Sequence, residues 1–441
     1  MGKIAFYIKH GIEVRYYVLS GLSDYYKSLG HEVCLLLPKE ITTDIKKYAH
    51  EYQIKTYTIS TSVFNSNKYS TYLPYIRAIT DARRRAKNAE MFNHHAVVNT
   101  KRKKIDTIFK WHFAQVLIEA VLRKIIALLF YNAALKKAIQ DIGITELYLG
   151  QYNSITQVLL GVNANKLGIK PHVTSNGLKV VFIDDFVPFK ITSLYTWNNI
   201  QTTLYQKANT RLPKQVFKPY GNLYHLFLRN TETNLQNDVI EKYQLDLSKP
   251  LILYALMFEN IYPEEYKLLN TLIENLDNTL GAQHYQLLIR RNPFEESKSH
   301  LQNIQASNHV KIMDAYATKI KEDDWITITP YGEKEWREVL QLADLMITCP
   351  SLAVIDAAVC NTPSLIVTFN HDDAPNDKIG MLKESSFLQS LIQSPYINIA
   401  DDINIFKTQA KHMLTIKKNT NQQVIFDSLG LAKSTIEKYK I

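Results

Sequence analysis

Ala343–Phe369 reads ADLMITCPSLAVIDAAVCNTPSLIVTF, and this stretch decides the fold. Asp344 to Thr348 is an apolar run bounded by a turn, the mark of a buried strand. Pro350 stops it, Ser351 offers a helix N-cap, and Val354, Ala357 and Ala358 recur at helical spacing. Asn361 suits a left-handed C-terminal cap, Pro363 bars the helix from continuing, and Leu365 to Phe369 start a second buried strand. A helix that begins just beyond a strand's carboxyl end presents free backbone N–H groups and the positive end of its dipole, where phosphates bind in open α/β sheets. Asp356 sits one turn inside that helix. There its carboxylate can accept hydrogen bonds from ribose hydroxyls; the plainer role is to complement the helix dipole.

The rest of the chain agrees with an α/β protein of two domains. Its 441 residues exceed the size at which one core keeps growing, so two units of roughly 200 residues each are expected. Hydrophobic residues make up 46%, ample for two cores. Cys34, Cys349 and Cys360 lie scattered in apolar surroundings without metal-ligand spacing, which points to a reduced cytosolic compartment. The opening MGKIAFYIKHGIEVRYY lacks a long apolar core and a small-residue cleavage site, and reads as a first strand from Lys3 to Lys9. Three times a helical stretch closes on a glycine before a strand: Gly30 before His31 to Leu37, Gly143 before Thr145 to Leu149, and Gly168 before Lys170 to Thr174. This is the punctuation of a parallel sheet flanked by helices.

Between about residues 60 and 140 the alternation gives way to a basic helical insertion. It holds Arg83 to Arg85, Lys101 to Lys104, and a helical run from Trp111 to Ile139 with Leu117, Val121, Leu122, Ile125, Leu128 and Leu129. Glu119, Arg123 and Lys124 interrupt the run before it reaches the ~18 uncharged residues of a membrane span. The insertion is either an ordinary buried helix with solvated charges or a basic surface for an anionic or membrane-bound acceptor. A strand running into a helix from Ser193 and a turn at Gly221-Asn222 complete the first domain, 1–230. A polar linker, 231–250, precedes Leu251 to Met257, the first strand of a second domain over 251–441, whose last helix is expected to pack back on the first.

The second domain's motifs carry a family resemblance. Ser351, Asp356-Ala357 and Asn361-Thr362-Pro363 resemble the donor-nucleotide site of GT-B glycosyltransferases and of the related non-hydrolysing sugar-nucleotide epimerases. Leu287 to Phe294, LLIRRNPF, sets Arg290 and Arg291 at a strand's carboxyl edge, where guanidinium forks can clamp a diphosphate. Capsule, sialyl- and Kdo-transferases carry R-x-H-P there; here Asn292 replaces the histidine and cannot carry a proton. Trp325 to Thr329 read as a short strand, Tyr331-Gly332 as a turn and Glu333 to Leu342 as a helix with Trp336, Val339 and Leu340 on one face. In GT-B relatives that turn lies against the nucleotide base, which makes Tyr331 a stacking candidate. Trp197 with Gln201, and the Gly221-Asn222 turn, are similar to segments of bacterial surface-carbohydrate and capsule transferases.

The resemblance implies two Rossmann-like domains facing a cleft, with the loop after the first strand abutting the reaction centre. His10, Glu13 and Arg15 lie on that loop. Asn176 stands where many relatives show histidine, and Asp184-Asp185 are similar to the paired acids of bacterial sialyltransferases. His10, Glu13, Asp184 or Asp185 is therefore expected as the base that takes the acceptor proton, with Arg15 and Asn176 lining the acceptor side or the cleft. The implied activity is metal-independent, inverting transfer from a nucleotide-sugar co-substrate to a surface glycan such as capsule or lipopolysaccharide. The implied setting is the cytoplasm, with peripheral contact to the anionic inner membrane face. A sugar-nucleotide 2-epimerase, a CMP- or CDP-activated transferase and an inactive glycan-binding scaffold are the alternatives. The net charge of +10 suggests nucleic acid, but no recognition helix, RRM or zinc pattern accompanies it.

Overall fold

The computed structural model describes residues 2–9, 11–39, 43–60, 112–150, 154–175, 187–209, 211–229, 233–257, 262–292, 301–304, 307–313, 317–320, 325–374, 397–416 and 435–439. The chain divides into two compact units. One comprises Met1–Lys9, Tyr16–Leu223 and Leu431–Ile441; the other comprises His10–Arg15 and Tyr224–Gly430.

The first unit is built on seven parallel strands: β1 (Lys3–Tyr7), β2 (Glu32–Pro38), β3 (Lys55–Ile59), β4 (Glu146–Leu149), β5 (Lys170–Thr174), β6 (Ser193–Tyr195) and β7 (Phe217–Lys218). They lie in the order 3-2-1-4-5-6-7. Ile4 to Tyr7 and Val33 to Leu37 are all buried, as continuous apolar runs must be when helices cover both sheet faces. Its helices are α2 (Leu22–Ser28), α3 (Thr43–Glu51), α4 (His112–Leu129), α5 (Ala133–Ile142), α6 (Ile155–Lys166) and α7 (Asn199–Ala208); α1 (Gly11–Val14) belongs to the second unit, and α8 (Leu223–Arg229) starts at the boundary. Gly30, Gly143 and Gly168 stand at φ of 82°, 73° and 72°, the left-handed conformation expected at these helix-to-strand junctions.

The run expected as one helix from Trp111 to Ile139 is two. The break falls at Asn132, whose side chain accepts from the Leu135 N–H at 3.0 Å and so caps α5. Helix α4 buries Leu122 and Ile126 and holds a Glu119–Arg123 ion pair at 3.0 Å, while Leu117, Val121, Ile125 and Leu128 stay exposed on its other side. The charge clusters at 83–85 and 101–104 lie outside the described residues. Trp197 and Gln201 work as one clamp on the carboxyl end of β5. The Trp197 backbone N–H donates to Gln201 Oε1 at 2.7 Å; its indole Nε1 and Gln201 Nε2 then donate to Ser175 O and Oγ at 2.9 and 3.0 Å. Residues 435–439 add a last turn to this unit. Tyr439 is buried there, 4.6 Å from the Tyr195 ring, and donates to Gly221 O at 3.0 Å.

The second unit carries six parallel strands, β8 (Leu251–Ala255), β9 (Gln286–Arg290), β10 (Val310–Met313), β13 (Leu345–Thr348), β14 (Ser364–Val367) and β15 (Ile397–Ala400). Their order is 10-9-8-13-14-15. Strands β11 (Ala317–Ile320) and β12 (Trp325–Ile328) form a separate antiparallel ribbon, so the strand read at Trp325 lies outside the main sheet. The helices are α9 (Thr233–Lys242), α10 (Glu265–Leu280), α11 (Pro330–Leu342), α12 (Ala353–Val359) and α13 (Ile403–Met413). The stretch read as a polar linker carries α9, and it is fastened to this unit: Lys242 Nζ lies 2.9 Å from Glu335, and Tyr243 donates to the same carboxylate.

Two helix starts differ from the sequence reading. Helix α11 begins at Pro330, three residues early, because Thr329 Oγ1 accepts from the Gly332 N–H at 3.2 Å and proline's fixed φ suits the first helical position. Helix α12 has Leu352, not Ser351, as its N-cap; Ser351 Oγ accepts instead from Ala353 N–H at 3.3 Å. Its other end is as expected. Asn361 sits at φ 61°, its N–H bonds Ala358 O, and the Thr362 N–H bonds Ala357 O, closing a Schellman motif.

Candidate functional site

In the second unit the strand order reverses between β8 and β13, which opens a crevice at the carboxyl ends of those strands. Thr348 Oγ1 fixes the edge by donating to Ala255 O at 2.9 Å. Arg290 is the last residue of β9 and Asp356 lies on α12, just after β13, so the two flank the end of β8. Between them stands Trp336 of α11, 2% exposed. The Arg290 guanidinium lies over the Trp336 ring, 3.7 Å from its centroid, and the indole Nε1 donates to Asp356 Oδ2 at 3.2 Å.

A second, similar pair adjoins the first. Arg15 follows α1, at the start of a π-helical turn over Arg15–Leu19, and its guanidinium lies 4.3 Å from the Tyr224 ring centroid. It pairs with Glu333 at 3.5 Å, and Tyr224 donates to the other Glu333 oxygen at 2.7 Å. The set thus holds two arginines, each lying over an aromatic ring, and two carboxylates. A guanidinium over a ring face gains a cation–π contact, and its N–H groups are donors of the kind that bind phosphate or carboxylate. Burial pushes the Asp356 carboxyl up to about 6, against the pull of Arg15, the indole N–H and Arg290 and with the push of Glu333. Burial also holds Arg290 below its ordinary range.

Of the residues singled out in the sequence, the structure brings together Arg290, Asp356 and Arg15. Arg15, read as lining the acceptor side or the cleft, stands beside the donor-site candidates. Arg291 is buried and Asn292 half-buried just past β9; Ser351 lies two residues before α12. Tyr331 is 38% exposed in the first turn of α11. Glu13 is fully buried on α1. His10, Asn176, Asp184 and Asp185 lie outside the described residues. Sequence reasoning gave no site role to Tyr224, Glu333 or Trp336. The signal for the last two was an acidic first-turn residue three positions before a tryptophan, which puts both on one helix face.

No protein-family model matches the chain, and no curated protein matches it by sequence. Its structure does find counterparts. The UDP-GlcNAc 2-epimerase of Methanocaldococcus jannaschii aligns over 97% of this chain and 97% of its own, at 10% identity and a TM-score of 0.57. The S. aureus MnaA structure with UDP covers 99% of this chain and 92% of its own, at 8% identity and 0.52. The Neisseria meningitidis UDP-GlcNAc 2-epimerase bound to UDP-GlcNAc covers 94% and 100%, at 10% identity and 0.50. The fold is GT-B. Within a GT-B fold the unit formed by β8–β15 is the second Rossmann-like domain, and the Arg15–Arg290–Trp336–Asp356 set occupies the carboxyl edge of its sheet. Among the described residues no helix is long and apolar enough to cross a membrane, and no group of three or more His, Cys, Asp or Glu is placed to hold a metal ion.

Proposed function

We propose that this chain is a glycosyltransferase that moves a sugar from a nucleotide-sugar donor to a surface glycan acceptor such as capsule or lipopolysaccharide. The observation that carries the reading is the pair of arginines, each over an aromatic ring, beside a half-buried carboxylate at the switch point of the second sheet. Arg290 and Arg15 supply fixed positive charge for the diphosphate, and Asp356 supplies an acceptor for ribose hydroxyls. In the inverting reaction the acceptor oxygen bonds to the anomeric carbon as the bond to the nucleoside diphosphate breaks. A base takes the acceptor's proton, and the guanidinium groups stabilise the charge that develops on the leaving diphosphate. No divalent ion is required in this scheme. The base is sought among His10, Glu13, Asp184 and Asp185: replacing it with alanine should lower turnover by about 10²–10⁴ while sparing donor binding.

The working place that suits this activity is the anionic cytoplasmic face of a membrane, where lipid-linked acceptors are presented. The net charge of +10 and the exposed stripe Leu117, Val121, Ile125 and Leu128 on α4 support that placement. A 2-epimerase is the second reading, favoured by the solved structures of like fold that bear that name. A thermal-shift panel of nucleotide sugars identifies the donor, since a ligand that binds the native state raises its melting temperature. The same donor is then incubated alone and with glycan acceptors. Nucleotide release that depends on acceptor supports transfer; a C2-epimerised nucleotide sugar formed without acceptor selects the epimerase, and no melting shift with any nucleotide overturns both.

A further inference from the structure

Trp336 touches both groups that the proposed donor site needs, yet a buried indole has no obvious chemistry of its own there. One face of the ring carries Arg290 at 3.7 Å. The ring N–H, at 3.2 Å, occupies Asp356 Oδ2, and no described hydrogen bond engages Oδ1. Asp356 is half-buried, with its Oδ2 held by the protein. Helix α11, capped by Thr329 and opened by Pro330, fixes the indole backbone, and at 2% exposure the ring cannot swing away.

We infer that Trp336 is the positioning residue of this site, a single rigid plate that sets the spacing between the cation for the diphosphate and the carboxylate for the ribose of one nucleoside diphosphate. The inference rests on reading the set as a nucleotide site. A guanidinium free on its flexible stem must be ordered when a phosphate binds; one already laid on an indole is not, and the saved ordering favours binding. Likewise the indole N–H selects one rotamer of Asp356 and stabilises its ionised form. A simple packing role would need only the ring's apolar bulk, and a phenyl ring would serve nearly as well.

Trp336→Phe separates the two roles, because phenylalanine keeps an aromatic face for Arg290 and lacks the N–H. The charged and titratable groups that face Asp356 are Arg15, Glu333, Arg290 and Tyr224, and all remain in the variant. Asp356 stands raised to about 6, and the indole hydrogen bond is one of the influences that hold it from going higher. Its loss moves that value up. An ionised carboxylate accepts ribose hydroxyls better than a protonated one, so nucleotide affinity falls as pH drops through the Asp356 value, and in the variant this fall begins at a higher pH.

The test is calorimetric titration with UDP-glucose, CDP-glycerol, GDP-mannose and ADP-glucose, whose diphosphate diesters lack the terminal phosphate proton that titrates at about pH 6, between pH 5 and 8 on wild type, Trp336→Phe and Asp356→Asn. Melting temperatures establish that each is folded. We expect Trp336→Phe to bind the preferred nucleotide about ten-fold more weakly at pH 7, the size of one hydrogen bond to a charged group. Its pH midpoint should stand above that of wild type, and Asp356→Asn should show no midpoint in this range. A Trp336→Phe protein with wild-type affinity and an unmoved midpoint overturns the positioning role while leaving the nucleotide site intact. If Trp336→Phe does not fold, Trp336→Met, which likewise lacks the N–H, takes its place: an unmoved midpoint and wild-type affinity in it overturn the inference, and a raised midpoint supports it. Wild type that binds none of the four nucleotides overturns the site reading and this inference with it.

Discussion

Asp356 and Arg290 meet the ligand directly in this scheme, so each should be costly to truncate. Asp356→Ala or Arg290→Ala is expected to lose about 1.5–3 kcal/mol of nucleotide binding, roughly 10- to 150-fold in affinity by calorimetry; wild-type affinity in both would remove them from the site. Their candidacy was legible in the sequence because each lies just past a strand's carboxyl end, a place that local pattern fixes. Glu333 and Tyr224 were not legible in the same way. They meet through a contact 109 residues apart, and no periodicity encodes such a distance. His225 makes a different prediction. Burial, aided by the charges of Arg229 and Arg15, pushes it down to about 3, so the folded protein refuses a proton that the unfolded chain takes at about 6.5. Stability should therefore fall as pH drops from about 6.5 toward 3, by up to about 1.4 kcal/mol per pH unit from this group. Asp356, raised to about 6, works in the opposite direction between about pH 4 and 6. Urea unfolding of wild type and His225→Asn across pH 4–7 isolates the first effect: the variant should show the shallower acid slope.

At the scale of elements, the C-terminal end of a helix was read better than its start. The Schellman cap at Asn361 was visible because few residues take a positive φ, and Pro363 marks the stop. Replacing Asn361 with Val should cost about 1–2 kcal/mol, whereas Gly should be neutral or better, as thermal unfolding would show. The start of α11 was missed because Thr329 and Pro330 looked like the end of a strand and a turn. In fact they are a cap and a first helical residue, and Thr329→Ala should cost about 1 kcal/mol. The break between α4 and α5 was hidden for a related reason: Phe130 is buried and continues the apolar pattern, so only the Asn132 cap betrays it. Trp197 and Gln201 were noticed as a motif, and their chemistry emerged only when Ser175 was found beneath them.

At the scale of the whole molecule, two predictions concern the setting. Turnover should survive excess EDTA, since the positive charge at the diphosphate comes from arginines; a complete loss restored by Mg²⁺ would contradict this. The protein should co-sediment with anionic vesicles and less with neutral ones, with salt weakening the association, and Leu117→Glu with Ile125→Glu should reduce it; indifference to vesicle charge would remove the membrane placement. The chain also does not divide into two consecutive halves, for Leu431–Ile441 belongs with the first unit and His10–Arg15 with the second. This has a consequence during synthesis. The ribosome delivers β1 to β7 long before residues 435–439, so Tyr195 and Gly221 must wait, without the Tyr439 ring and hydroxyl, while the more than 200 residues between β7 and Tyr439 are made. A nascent chain arrested at residue 430 should therefore carry a first unit more open to protease than one arrested after residue 441 has cleared the exit tunnel.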